Sequence, residues 1–252
     1  MTAAAPSEER IPFGRLVAIE ARKAIDTRSG FWLALLIAGL TALILVLHAA
    51  GTFEPASNAE VFRRAFAPAS ALLPFVAILL VTAEFSARTA LTTFVLVPNR
   101  RRVIAAKLTG IVLMSVVLAA AIGLLAALTG LIAPGHADAG GGQTSLADAA
   151  WRGVLGLVIA VVGGFGFGLL LRNTPAAIVT WLVVPGFVVG ALLLTPGLEP
   201  AEPWIGQSSL DKLSQEGTIG GTEWAQIATA ALIWLVLPVA AGLWRFSRAE
   251  IK

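Results

Sequence analysis

The 252 residues contain no cysteine, so disulfides, thiolate metal sites and cysteine nucleophiles are excluded together. Histidine is nearly as scarce: His48 and His136 lie far apart in the chain, and two distant imidazoles do not make a metal centre. Charge is thin as well. Charged residues make up 13% of the chain and hydrophobic ones 57%, where a soluble domain has about 25% and 45–50%. No G-x-x-x-x-G-K-[ST] string occurs, so a phosphate-cradling loop of that kind is absent. Gly163, Gly164, Gly166 and Gly168 do not replace it, because they sit inside an apolar run with no strand ahead of them. No internal repeat is evident.

What the chain does have is length without polarity, with a mean hydropathy of +0.85. A helix crossing about 30 Å of hydrocarbon at about 1.5 Å per residue needs roughly 20 mostly apolar residues. Six stretches qualify: Phe31–Ala50, Ala65–Ala83, a stretch within Leu108–Ala133, Gly153–Leu171, Ala176–Thr195 and Trp224–Trp244. They predict an all-α integral membrane protein with six transmembrane helices. The expected organisation is an arm over 1–29, a six-helix domain over 30–245 and a tail over 246–252, with no room for an appended soluble domain. Pro68 and Pro74 fall in the second run and Pro185-Gly186 in the fifth. Such breaks either line a pathway or are bends tolerated in a packed bundle.

The net charge of +3 and pI near 9.9 suit nucleic acid or membrane, and the placement of the charges decides for membrane. Arg10, Arg15, Arg22, Lys23 and Arg28 precede the first span; Arg88, Arg100, Arg101, Arg102 and Lys107 lie between the second and third. Arg172 sits between the fourth and fifth, and Arg245, Arg248 and Lys252 follow the sixth. With an even number of spans these share one side, which the bias of Lys and Arg toward cytoplasmic loops makes the cytoplasm. The opposite loops hold Arg63, Arg64, Arg152 and Lys212 among nine acidic residues. Both termini are therefore expected in the cytoplasm. A signal peptide ending near His48-Ala49-Ala50 is the alternative for the first run, but a signal core is about 7–15 residues behind a short basic start. The longer arm and full-length run predict a retained helix.

From Phe13 to Arg28, Phe13, Leu16, Val17, Ala21, Ala24 and Ile25 recur at helical spacing while Arg15, Arg22, Lys23 and Asp26 face elsewhere. The pattern predicts an amphipathic helix on the cytoplasmic membrane surface; the plainer alternative is a positive anchor and nothing more. On the other side, residues 136–145 read as flexible linker. Residues 196–222 form a longer loop with Trp204 and Ile205 as apolar anchors, suited to short interfacial helices.

The connection Glu84–Lys107, EFSARTALTTFVLVPNRRRVIAAK, carries the most information. Glu84, Arg88 and Thr92 form one helical stripe and Ala87, Leu91, Phe94 and Val95 another, with Pro98 as the stop. Arg100, Arg101, Arg102 and Lys107 then flank the next span, where lipid headgroups attract cations. Ordinary positive-inside charge accounts for these basic residues but not for the whole string. The string resembles bacterial type-2 ATP-binding cassette (ABC) transporter permeases, in Glu84-Phe85, Thr89, Thr92-Thr93, Pro98, Arg100–Arg102 and Ala106-Lys107. Arg88 departs from the family, which usually has Gly there. A second resemblance is GFGFGLLLRNTPAA over Gly164–Ala177, a Gly-rich span ending in a turn at Arg172 and Asn173. Ala160, Gly164 and Gly168 form a small-residue face, for which packing within the chain is the first expectation and contact between copies the second.

The resemblance implies a homodimeric permease docked on two cytoplasmic ATPase subunits, with no catalytic residue or cofactor of its own and with ATP and Mg bound by the partner. It implies a coupling helix between the second and third spans, touching the ATPase through Glu84, Phe85, Arg88, Thr89, Thr92 and Pro98. Arg22, Lys23, Arg100, Arg101, Arg102 and Lys107 are expected to anchor the chain at lipid headgroups. Export is the family's usual direction. The span middles hold no Asp, Glu, Lys, Arg or His, which speaks against intramembrane enzymes and proton-coupled carriers and favours amphipathic, lipid-like or drug-like cargo. The competing reading is a membrane immunity or scaffold protein that binds without transporting.

Overall fold

The computed structural model describes residues 12–53, 56–86, 100–132, 145–215 and 217–248, apart from the side chains at 84–86, 100, 101 and 247. Among these residues there is no strand. Six helices are long and apolar enough to cross a membrane: Arg28–Ala49, Asn58–Ala83, Arg102–Ile132, Leu146–Leu171, Thr174–Leu194 and Gly221–Phe246. They lie within α2 (Arg28–Ala49), α3 (Asn58–Ser86), α4 (Arg100–Ile132), α5 (Leu146–Leu171), α6 (Thr174–Leu194) and a final rod of two helices. Ahead of them runs α1 (Phe13–Asp26), and between α6 and the final rod stand two short helices, α7 (Glu202–Ile205) and α8 (Ser208–Asp211).

The helices start earlier than apolar runs alone predict, because paired charges extend them. At the head of α3, Glu60 holds both Arg63 and Arg64, the latter at 2.8 Å, over i,i+3 and i,i+4 spacings. At the head of α5, the Ser145 hydroxyl accepts the Asp148 amide at 3.1 Å, and Asp148 pairs with Arg152 four residues on. Arg152, expected in a loop, is thus a buried helical residue. Its guanidinium also donates to the Gly217 carbonyl at 2.7 Å.

Helices α3 and α5 form the centre. They are the most buried spans, and α5 packs on α3, α4, α6 and the last helix at once. Its glycines make this possible on two sides. A Cβ on Gly164 would lie 2.7 Å from the Pro74 carbonyl oxygen and one on Gly168 3.3 Å from the Ile78 backbone, so that face meets α3. A Cβ on Gly163 would lie 2.8 Å from the Trp181 ring and 3.1 Å from the Trp234 carbonyl; one on Gly166 would lie 2.9 Å from the Val239 amide. That second face meets α6 and the last span. Close backbone approach replaces side-chain interdigitation, the usual way helices associate where lipid removes the hydrophobic drive.

The last rod is α9 (Gly221–Ala231), a π-turn over Leu232–Val236, and α10 (Leu237–Arg248). Pro238 lacks the amide that would bond the Trp234 carbonyl, and the wider turn accommodates the gap, with the Leu237 amide reaching Leu232. The outer helices α2, α4 and α6 expose large apolar side chains, among them Leu131 (81%), Phe187 (74%) and Leu194 (85%). A continuous apolar exterior with backbone polarity satisfied inside helices fits hydrocarbon and not water.

Candidate functional site

At one end of the bundle, five elements meet: α1, the start of α4, the end of α3, the α5–α6 turn and the end of α10. Helix α1 begins behind Pro12 and stops at Thr27, whose extended backbone turns the chain and whose hydroxyl accepts the Gly30 amide at 3.1 Å. A Cβ on Gly30 would fall 1.8 Å from the Ala24 carbonyl, so only glycine fits this elbow. Leu16, Val17, Glu20 and Ala24 share the buried face of α1. Leu16 and Val17 pack on Ala106 of α4, and a Cβ on Gly110 would lie 3.2 Å from the Val17 carbonyl oxygen and the Ala21 amide of α1, so glycine permits the close approach there.

An ion pair is buried in that contact. The Lys107 ammonium donates to Glu20, with side chains 5% and 4% exposed, and Lys23 donates to the same carboxylate at 2.7 Å. Lys107 was expected among lipid headgroups. The structure turns it inward, because its place on α4 faces α1 and the one carboxylate on the buried face of α1 lies opposite. Glu20 carries no motif; its signal in the sequence is an acid at i+4 from Leu16 on an otherwise apolar stripe. The other expected anchors differ among themselves. Arg22 is exposed and pairs with Asp26 at 3.3 Å, Lys23 is half-buried on Glu20, and Arg102 is half-buried. The side chains of Arg100 and Arg101 lie outside the described residues.

The connection expected to touch an ATPase joins α3 and α4 at this end. Helix α3 carries the backbone of Glu84 and Phe85 to Ser86, a turn past the expected end at Ala83. The side chains of Glu84 and Phe85, and the whole of Arg88, Thr89, Thr92 and Pro98, lie outside the described residues. One turn earlier, the Thr82 hydroxyl donates to or accepts from the Thr174 hydroxyl at 2.7 Å, tying α3 to the start of α6.

The α5–α6 turn is built as its residues dictate. Arg172 adopts φ 54°, the one non-glycine residue with positive φ among those described, and its amide closes α5 on Gly168 at 2.9 Å. Asn173 then caps α6, its side-chain oxygen accepting the Ala176 amide at 3.0 Å. The Arg172 guanidinium lies 5.6 Å from the Phe246 ring centre, and Arg245 donates to the Leu170 carbonyl at 2.7 Å. Burial first, and then the charge of Arg245, lower the Arg172 pKa, yet a guanidinium stays charged in proteins. Ala160, Gly164 and Gly168 lie along α5, with both glycines against α3 of the same chain and Ala160 packed against the cluster that holds Trp181 and Phe167. Gly163 and Gly166, which the sequence pattern left without a partner, serve the same purpose toward α6 and α10.

Among the described residues no cluster of three or more His, Cys, Asp or Glu is placed to hold a metal ion. No family profile and no characterised protein matches the chain.

Proposed function

We propose that the chain is the membrane-spanning permease subunit of an ATP-driven exporter of the ABC class, in a bacterial plasma membrane with both termini cytoplasmic. The observation that carries this reading is the Glu84–Lys107 string, which joins α3 to α4 at the end where α1 is held. Support for the orientation comes from Arg15, Arg22, Lys23, Arg28, Arg172, Arg245 and Arg248, all at that end, as the positive-inside bias requires.

In this reading two copies pair, and each docks an ATPase subunit that binds ATP and Mg. The ATPase presses on 84–98 and on α1. Because Glu20 and Lys107 join α1 to α4, and Thr82 and Thr174 join α3 to α6, displacement of the connection reaches four helices together. Cargo of amphipathic, lipid-like or drug-like character crosses where the copies meet.

The test is reconstitution with the ATPase encoded by a neighbouring gene. The chain is expected to co-purify with it and to stimulate its hydrolysis. Glu84→Ala and Arg88→Ala are expected to leave insertion and hydrolysis in place while export falls at least about tenfold. Unchanged export removes the coupling assignment, and no association removes the permease reading. Protection of cells lacking any ATPase partner would point instead to a binding or immunity protein.

A further inference from the structure

At the opposite end of the bundle a cavity of about 460 Å³ lies between α3, α5, α6 and the α7–α8 hairpin. Sites for small organic ligands commonly enclose about 300–1,000 Å³. Its walls are apolar and aromatic, with Phe66 and Phe75 from α3 and Trp181 from α6. Gln207, Asp211 and Ser214 line it from the hairpin side and Ser70 from α3, where the Ser70 hydroxyl donates to the Ala67 carbonyl at 2.9 Å. The hairpin is held over the bundle by design of its short turns: the Trp234 indole donates to the Ile205 carbonyl at 2.7 Å, and the Leu213 side chain is buried.

Among the described residues, Asp211 is the one ionisable side chain on the cavity wall. Among the described residues no basic group pairs with it. The adjacent Lys212 turns away, donating to Gln226 at 2.7 Å and lying 3.8 Å from Glu223. Asp211 reaches water at the rim, and the protein packed around it raises its carboxyl above the usual range by desolvation. A cation beside it would offset that cost, and aromatic faces attract cations as well as apolar bodies.

We propose that this cavity binds an amphipathic organic cation, its apolar body between Phe66, Phe75 and Trp181 and its charge at Asp211. An anionic or zwitterionic lipid is disfavoured, since its phosphate would meet the carboxylate. The proposal deepens the exporter reading by naming the charge class of its cargo, and rests on that reading only for the cargo's being transported. The site lies within one copy of the chain.

The experiment is equilibrium binding to the full chain in nanodiscs of neutral phosphatidylcholine, without any ATPase. The probe is tetraphenylphosphonium, and the isosteric anion tetraphenylborate is the control for simple partition. The cation is expected to bind saturably at one site per chain and to quench tryptophan fluorescence, while the anion only partitions. Asp211→Asn is expected to weaken the cation at least about tenfold, and Asp211→Glu to retain it. Glu199→Gln, an acid in the turn just ahead of α7 and off the cavity wall, is expected to leave binding unchanged. Equal binding of both ions, wild-type binding by Asp211→Asn, or an equal loss in Glu199→Gln would overturn the proposal. A chain that stimulates its ATPase but binds no cation sinks this inference alone; one that binds the cation but never engages an ATPase sinks the permease reading alone.

Discussion

Glu20 and Lys107 lie 87 positions apart, and neither looks exceptional in its own neighbourhood. Glu20 is one acid in a basic arm; Lys107 ends a basic cluster whose members ordinarily sit among headgroups. Their burial against each other changes what each is worth. Removing one partner of a buried pair strands the other charge and costs about 3–5 kcal/mol, whereas exchanging both for apolar residues of similar volume is often near neutral. Glu20→Leu strands the buried Lys107 and should lower the thermal midpoint of the detergent-solubilised chain most; Lys107→Met leaves Glu20 its pairing with Lys23 and should lower it less; and the double variant Glu20→Leu, Lys107→Met should lose less than the sum of the two. Midpoints that fall additively in the double variant would show that the two residues act independently. Arg172 shows the reverse case. Its turn was legible from Arg-Asn-Thr-Pro, because an αL stop, an Asn cap and a Pro in the first turn act within a few residues.

At the scale of elements, α1 and α5 were legible to different degrees. The amphipathic stripe of α1 announced a helix, but periodicity says which face is apolar and not what covers it; α4 and α2 cover much of it. In α5 the spacing of Ala160, Gly164 and Gly168 marked a close-packing face. The face through Gly163 and Gly166 had no legible partner, since Trp181, Trp234 and Val239 arrive from distant segments. The glycines of α5 and α6 make a direct comparison. Gly164→Ala places a methyl 2.7 Å from the Pro74 carbonyl oxygen, and overpacking of this kind costs about 1–3 kcal/mol. Gly186→Ala and Gly190→Ala in α6 meet nothing within 4 Å and should be neutral or slightly stabilising, as helix propensity favours alanine. A thermal shift for Gly164→Ala no larger than for Gly186→Ala would contradict the close approach of α5 to α3.

For the whole molecule, orientation is the property with the widest consequences, because under the proposed permease reading it decides which end would meet an ATPase. The lack of native cysteine makes the measurement direct. In intact cells Gln215→Cys, on the hairpin side, is expected to react with a membrane-impermeant maleimide, and Arg22→Cys, 83% exposed on α1, only after permeabilisation. The opposite pattern would invert the assignment of both ends.

Six spans, their even number and the bias of positive charge all follow from the sequence alone, because the free energy of placing a segment in hydrocarbon is nearly a sum over its own residues. The Thr27 elbow and the Arg172 turn are local for the same reason, as a cap or a positive φ involves only adjacent peptides. Tertiary structure alone decided that α3 and α5 are the centre, that Lys107 faces Glu20, and that Asp211 stands at the rim of a cavity walled by α3, α5 and α6. Those outcomes depend on which helix lies beside which, and that is set by shape and contact between residues far apart in the chain, about which hydropathy and periodicity carry no information.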